Sequence, residues 1–227
     1  MERVDDLGGG LKLIQNTDLF CFGTDAVYLA NYVCKSAPKT VVDFCTGNGI
    51  IPVLLSQKFE NAQIYGIEIQ QMSAELAKRN VELNGLGIRI KIINDDIKNC
   101  NEHFKSGSVD VITCNPPYMA LGTGFKNPKD EMAAARHEIY IDIDGVLCAA
   151  KRILKFGGEF YMVHRTDRLC DVLNAMRTHK IEPKTLKFIH PYIGKAPNLF
   201  LVKGIAGAKP SLVLEAPEYV RKEPFNE

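Results

Sequence analysis

From Thr40 onward the chain alternates short runs rich in Val, Ile, Phe and Tyr with longer segments whose apolar residues recur at helical spacing, and that alternation admits few folds. Strands are expected near 40–44, 63–68, 88–93, 109–114 and 158–164. Helices are expected over Gly49–Phe59, Gln70–Leu83 and Ile139–Lys155, with Asn84-Gly85 and Gly157-Gly158 as stops. Such units build a parallel sheet through right-handed crossovers. A further helix near Asp167–Thr178 leads to two β-rich runs, Thr185–His190 and Leu199–Ile205. The turn-prone Pro191–Asn198 separates them, so the pair reads as a terminal antiparallel hairpin. Ahead of the sheet, Gly23–Cys34 reads as a helix that Thr24 or Asp25 could cap. A chain of 227 residues suffices for one core. One domain is expected over 1–227, with 1–39 an amino-terminal extension and 40–227 the core. The least regular stretch, Met119–Ala135, is long for a loop in a compact domain, and such loops are usually functional or disordered.

The amino terminus lacks the basic and apolar segments of a secretory signal, and no membrane span is evident, so a cytoplasmic location is expected. Seven cysteines (Cys21, Cys34, Cys45, Cys100, Cys114, Cys148 and Cys170) are an odd number without a C-x-x-C pair. They read as reduced core residues, with no metal site among them. Net charge is +1, but residues 1–144 carry 14 Lys+Arg against 19 Asp+Glu (−5) and residues 145–227 carry 14 against 8 (+6). A basic face beside an acidic pocket would produce this split and would suit a polyanion; so would ordinary surface charge divided arbitrarily.

Val41-Val-Asp-Phe-Cys-Thr-Gly-Asn-Gly-Ile-Ile-Pro52 reads as a buried strand, a tight turn at Gly47 and Gly49, and a helix. Such a turn admits a ligand close to the backbone at the carboxyl edge of the sheet. The next strand ends on Glu68, 21 positions after Gly47, a spacing that places a carboxylate on paired ribose hydroxyls; capping the following helix is its competing use. The third strand ends in Asn94-Asp-Asp-Ile97, where Asp96 could bind an adenine amine and Ile97 cover its ring. Helix capping by Asp95 or Asp96 competes with that role. The dinucleotide fingerprint G-x-G-x-x-G is absent: Asp43 precedes the turn and Pro52 holds the third-glycine position. An acid at the turn suits a cationic ligand, which favours S-adenosylmethionine over a pyrophosphate. Thr24, at a helix start, could take the cofactor's carboxylate.

Val109-Asp-Val-Ile-Thr-Cys114 runs into Asn115-Pro-Pro-Tyr118, where consecutive prolines remove backbone donors and leave an array of acceptors. The exocyclic nitrogen of adenine is a poor nucleophile because its lone pair is delocalised. Accepting its hydrogens on the Asn115 side-chain oxygen and the Pro116 carbonyl would pull it towards a tetrahedral shape and align the lone pair with a methyl donor. Tyr118 offers a stacking face for a flipped base, with Pro117 beside it. Arg136 and His137 follow the irregular loop and are candidates for the rim of the target pocket, although Arg136 and Glu138 could equally pair at a helix end. His164 and Arg165 could meet phosphate or cap the next helix.

These motifs together resemble a class I S-adenosylmethionine-dependent methyltransferase of the Asn-Pro-Pro-Tyr group. More closely, the chain is similar to the bacterial tRNA(Val) adenine-N6 methyltransferase family, through Phe22-Gly-Thr-Asp-Ala26, Thr46-Gly-Asn-Gly-Ile-Ile-Pro52, Gly66-Ile-Glu-Ile-Gln70, Asn80-Val-Glu-Leu-Asn84, Asn115-Pro-Pro-Tyr118, Ala135-Arg-His-Glu138 and Val163-His-Arg165. The resemblance implies an α/β, Rossmann-like fold with a seven-stranded, mostly parallel sheet and an antiparallel C-terminal hairpin strand, preceded by a cofactor-covering helix. It also implies a tRNA partner and an anticodon-adjacent target adenosine; a monomer is expected. Cys45 departs from the pattern, since related cofactor turns usually carry glycine there. A glutamine-N5 methyltransferase acting on a release factor would use the same Asn115 and Pro116 chemistry. Only 39 residues precede the first core strand, shorter than the helical substrate module such enzymes carry. An inactive RNA-binding protein is a third reading, against which the intact Glu68, Asn115 and Tyr118 argue.

Overall fold

A computed structural model describes residues 1–17, 19, 23–117 and 142–221. Strands β1 (Glu2–Gly8) and β2 (Leu11–Asn16) form a separate hairpin, followed by helix α1 (Thr24–Tyr32). The alternating core then runs β3 (Thr40–Phe44), α2 (Ile50–Lys58), β4 (Gln63–Glu68), α3 (Gln71–Leu83), β5 (Ile90–Asn94), the single-turn α4 (Cys100–His103), β6 (Val109–Cys114), α5 (Ile143–Ile153), β7 (Leu154–Arg165), α6 (Leu169–Thr178), β8 (Ile181–Tyr192) and β9 (Leu199–Ala206). Strands β10 (Val213–Leu214) and β11 (Glu218–Arg221) are short. The sheet order is β10-β8-β9-β7-β6-β3-β4-β5, with β11 also paired to β8. Pairings among β3 to β7 are all parallel, and β9 enters antiparallel between β7 and β8. The seven strands β3–β9 match the expected architecture; β10 and β11 extend its edge.

The sheet is covered on both faces, which is why its strands are near-continuous apolar runs. Alternation along β3 sends Val41 to one core, with Leu29, Ile51, Leu55 and Val81 from α1, α2 and α3. Val42 and Phe44 face the other, with Leu147, Ile153, Val172 and Met176 from α5 and α6. At the amino edge, the Asp110 carboxylate accepts both the Lys39 and Thr40 N–H groups at 2.9 Å and pairs with Lys155 at 2.5 Å, tying β3, β6 and β7 together.

Three elements depart from expectation. The β1–β2 hairpin is new, and its turn uses Gly8, Gly9 and Gly10, all at positive φ. Gly157-Gly158 does not stop a helix: α5 ends at Ile153, and the glycines lie where β7 enters the sheet through a register shift opposite Val109–Val111. The N-cap of α1 is Gly23 and not Thr24 or Asp25, although Asp25 satisfies one first-turn donor from inside the helix, the Ala26 N–H at 2.9 Å. Asn84-Gly85 does end α3, with the Leu86 N–H on the Val81 carbonyl and the Gly85 N–H on that of Glu82.

The hairpin is held by two carboxamides. Residues four apart on a helix and two apart on a strand are both separated by roughly 6–7 Å, so Asn80 and Asn84 of α3 face alternate residues of β2. Asn84 exchanges bonds with the backbone of Lys12, at 2.8 and 2.7 Å. Asn80, fully buried, accepts the Ile14 N–H at 2.6 Å and donates to the carbonyls of Ile14 and Asn48 at 3.0 and 2.9 Å. Asn80→Ala leaves buried partners unsatisfied and is expected to cost at least about 2 kcal/mol, whereas at the exposed end water replaces much of what Asn84→Ala removes, for under about 1 kcal/mol. Urea unfolding of both variants measures the difference.

Candidate active site

The loop from Cys45 to Gly49 leaves β3 at the carboxyl edge of the sheet. Its backbone is left-handed at Cys45 (φ 58°), Gly47 (φ 55°) and Gly49 (φ 83°). Glycine answers that demand at two of the three positions, and at Gly49 a side chain would also meet the Cβ of Ala77 at 3.2 Å. Cys45 adopts the conformation with a side chain, which accounts for glycine being usual there in related turns. The Gly47 N–H donates to Glu68 Oε2 at 2.8 Å, and Glu68 Oε1 accepts the Gln70 N–H at 2.9 Å. Glu68 is thus buried at the end of β4, 6% exposed, holding the turn against the start of α3. Its helix-entry role and its place beside the turn coexist.

Asp43 is wholly buried one residue before the strand ends. Its Oδ1 accepts the Thr113 hydroxyl at 2.6 Å, and burial pushes its carboxyl up to about 7 against the pull of that bond. Among the described residues, buried Asn48 Nδ2 has no hydrogen-bond partner, and Asp43 Oδ2 and Thr46 Oγ1 have none but each other. Unsatisfied buried polar atoms are costly, and this set of acceptor, hydroxyl and donor suits a small ligand carrying amino and hydroxyl groups. Among the described residues nothing lies within 4 Å of the place a Gly47 side chain would occupy.

In β5 and the turn after it, Asp95 accepts from the Asp96 N–H, Asn99 and His103, bonds that hold its carboxyl below the usual range. Asp96, half-buried, caps the following turn through the Lys98 N–H at 2.9 Å, and Ile97 is packed in the core of that face. The capping use of Asp96 is therefore realised.

Cys114 pairs with Phe44 across β6 and β3, so Asn115 and Cys45 leave the sheet side by side. Pro116 is buried, Asn115 half-buried and Pro117 exposed. Asn115 Nδ2 donates to Asp25 Oδ2 of α1 at 3.2 Å, bringing the amino-terminal helix over the site. Thr24, one residue earlier, is exposed. Tyr118, Arg136 and His137 lie outside the described residues. His164 is buried, stacked on Phe200 and held neutral, its pKa pushed down to about 4 by burial, so it cannot meet phosphate as a cation. Arg165 is exposed and lies 3.7 Å from Asp167. Among the described residues no cluster of three or more His, Cys, Asp or Glu could hold a metal ion, and no helix is long and apolar enough to cross a membrane.

Asp25, Thr46, Asn48, Thr113 and Asn80 were not singled out from the sequence as site residues. Asp25 had the clearest signal, sharing one helical face with Ala26, Leu29, Ala30 and Val33; an acid on an apolar stripe needs a partner.

A Gly-turn clamped by an acid from β4, beside an Asn-Pro-Pro turn that follows β6, defines an S-adenosylmethionine-dependent methyltransferase. The chain belongs to the methyltransferase small domain family, whose model matches residues 21–186, and S-adenosylmethionine is its cofactor. It is similar to a Phocaeicola vulgatus protein named tRNA1(Val) (adenine(37)-N6)-methyltransferase, 30% identical over 181 residues that cover 79% of this chain and 74% of that one. In fold it matches the crystal structure of a predicted O-methyltransferase, Atu636 from Agrobacterium tumefaciens (TM-score 0.71, 21% identity, 87% of this chain and 88% of that one). It also matches geranyl diphosphate C-methyltransferase from Streptomyces coelicolor, solved in complex with S-adenosyl-L-homocysteine (TM-score 0.61, 13% identity, 80% and 76% covered).

A side chain in the left-handed region costs roughly 1–2 kcal/mol, and glycine's extra freedom in the unfolded chain offsets about half of that gain. Cys45→Gly is therefore expected to stabilise the protein by about 0.5–1 kcal/mol, and the β-branched Cys45→Val to destabilise it by more. Denaturant midpoints of the two variants decide the sign.

Proposed function

We propose that this chain methylates the exocyclic N6 amine of an adenine in tRNA, the anticodon-adjacent adenosine of tRNA(Val) being the preferred target. The observation carrying this reading is the Asn115-Pro116 acceptor pair, seated one strand from the cofactor turn and anchored to Asp25. The name of the Phocaeicola relative supports the base and the nucleic acid. Bound S-adenosylmethionine supplies an electrophilic methyl group on a sulfonium. Glu68 takes the cofactor's ribose hydroxyls, Asp96 and Ile97 its adenine, and Asp43, Cys45, Gly47 and Gly49 line its amino-acid end, with Thr24 near its carboxylate. Asn115 Oδ1 and the Pro116 carbonyl accept the two amine hydrogens and hold the lone pair in line. Pro117, Tyr118, Arg136 and His137 contact the target base and its flanks, and the nitrogen sheds its proton after attack. An adenosine in a loop costs less to unstack than one in a duplex, which suits a small enzyme. A cytoplasmic, monomeric enzyme fits this role.

Incubation with labelled cofactor and either unmodified tRNA or a release factor tests the substrate. Label is expected in N6-methyladenosine of tRNA, and label in protein glutamine instead would overturn the reading. Asn115→Ala should slow single-turnover transfer at least about a hundredfold while cofactor affinity stays near wild type.

Asp43 adds a pH dependence. Its folded pKa of about 7 lies above the ordinary 3.8, so the folded state binds the proton more tightly and this group's contribution to cofactor-free stability declines as pH rises from about 4 to about 7. A cationic amino group at the turn favours the ionised form. Cofactor affinity is therefore expected to increase with pH through about 7 and to lose that dependence in Asp43→Asn, as calorimetry across pH 6–8 would register.

A further inference from the structure

Asp25 and Asn115 are 90 residues apart in the chain and meet at the mouth of the site. Asp25 is 7% exposed, on the buried stripe of α1. Its Oδ1 accepts the Ala26 N–H at 2.9 Å, which orients the carboxylate, and its Oδ2 accepts from Asn115 Nδ2 at 3.2 Å. A carboxylate accepts and does not donate, so the Asn115 atom it contacts must be the nitrogen. Of the two carboxamide orientations related by a half-turn, only one puts a donor on Asp25 Oδ2, and that one turns Oδ1 away from this carboxylate.

The opposite orientation would present Asn115 NH₂ to the NH₂ of a target base, donor facing donor. Polarisation adds to the selection, because an acceptor on the amide nitrogen makes the amide oxygen a stronger acceptor. A second feature keeps Asp25 in place. A side chain at Gly23 would put its Cβ 2.6 Å from Asp25 Oδ1, so the absence of one there is the room the carboxylate occupies.

We infer that Asp25 is a positioning residue for methyl transfer, fixing the Asn115 carboxamide with its oxygen towards the target amine, and that Gly23 leaves the room in which its carboxylate sits. The inference rests on the proposed role of Asn115 as amine acceptor, but its structural half is testable without any substrate.

In the cofactor-free protein, the Asn115 side-chain ¹⁵NH₂ resonances are identified by their loss in Asn115→Ala. They are expected to stand apart from free asparagine amides and to collapse towards them in Asp25→Ala. In single turnover with tRNA, Asp25→Ala should be roughly ten- to a hundredfold slower. Cofactor affinity should stay within about twofold, because the carboxylate acts on Asn115 and not on the bound cofactor. In an Asn115→Ala background the same change should add less than about twofold, since the two residues act as one unit. Gly23→Ala, which displaces the carboxylate without removing it, should slow transfer in the same direction. Asp25→Asn, isosteric and still able to offer an oxygen, should fall between wild type and Asp25→Ala in both rate and chemical shift, and it decides the matter if Asp25→Ala does not fold. Unmoved Asn115 resonances in a folded Asp25 variant, or a rate loss that adds fully to that of Asn115→Ala, would overturn the inference. Wild-type protein that leaves tRNA unmethylated would sink the substrate reading alone, with the resonances still deciding the Asp25–Asn115 contact.

Discussion

The loop between β3 and α2 must turn through three left-handed residues within five positions, and the elements around it are arranged to hold that conformation. Glu68 takes the Gly47 N–H from the side of β4, and Asn80 takes the Asn48 carbonyl from the side of α3. Ala77 crowds Gly49, whose φ of 83° already favours glycine, and the Thr46 N–H reaches the Ile67 carbonyl at 3.1 Å. Four constraints, two from β4 and two from α3, hold one short backbone segment that local preference alone would not choose.

That clamp explains why the amino-terminal segment belongs to the site rather than decorating it. Asn80 binds the turn with one hydrogen of its amide and the hairpin with the rest of its capacity, so β2 and the cofactor loop share a single buried side chain. Helix α1 follows the hairpin and is pinned at its far end, where the Cys34 N–H meets the Tyr161 hydroxyl, itself bonded to Glu159, and Lys35 pairs with Glu159 at 3.5 Å. Tyr32 adds an edge contact to Tyr161 and a bond to Thr185. With both ends fixed, the first turn of α1 has little freedom over the carboxyl edge of β6, and Asp25 arrives at Asn115.

The parts visible in the sequence are those governed by local periodicity. The core strands were legible within a few residues because burial on both faces leaves unbroken runs such as Val109–Cys114, and the Gly47 to Glu68 spacing located both ends of what became a hydrogen bond. What escaped depends on partners distant in the chain. Gly8-Gly9-Gly10 is a turn signal, but the flanking runs Glu2–Gly8 and Leu11–Asn16 are polar on one face, and β2, on which β1 pairs, is held by the amides of Asn80 and Asn84 about 70 positions later. Gly157-Gly158 sits where a helix stop would, and only pairing of β7 with β6 shows that it serves a strand entry. Asp25 could have been flagged by its place on the apolar stripe, but nothing local names Asn115 as its partner.

Electrostatics links these observations. Asp25, Asp43 and Glu68 crowd the carboxyl edge of the sheet, where a polyanionic partner would have to approach. Each is buried and meets hydrogen-bond donors of the protein: Glu68 two backbone N–H groups, Asp25 a backbone N–H and the Asn115 amide, Asp43 the Thr113 hydroxyl. Donors aimed at buried carboxylates absorb much of their field locally, so the repulsion felt outside is far weaker than three exposed acids would exert. Within the pocket the balance differs, since among the described residues the Thr46 hydroxyl is the only donor in reach of the second Asp43 oxygen. The result is an edge whose negative character is strong at the range of a small cation and weak at the range of a phosphate backbone. A methyltransferase that brings a sulfonium donor and a nucleic acid together needs that separation of ranges.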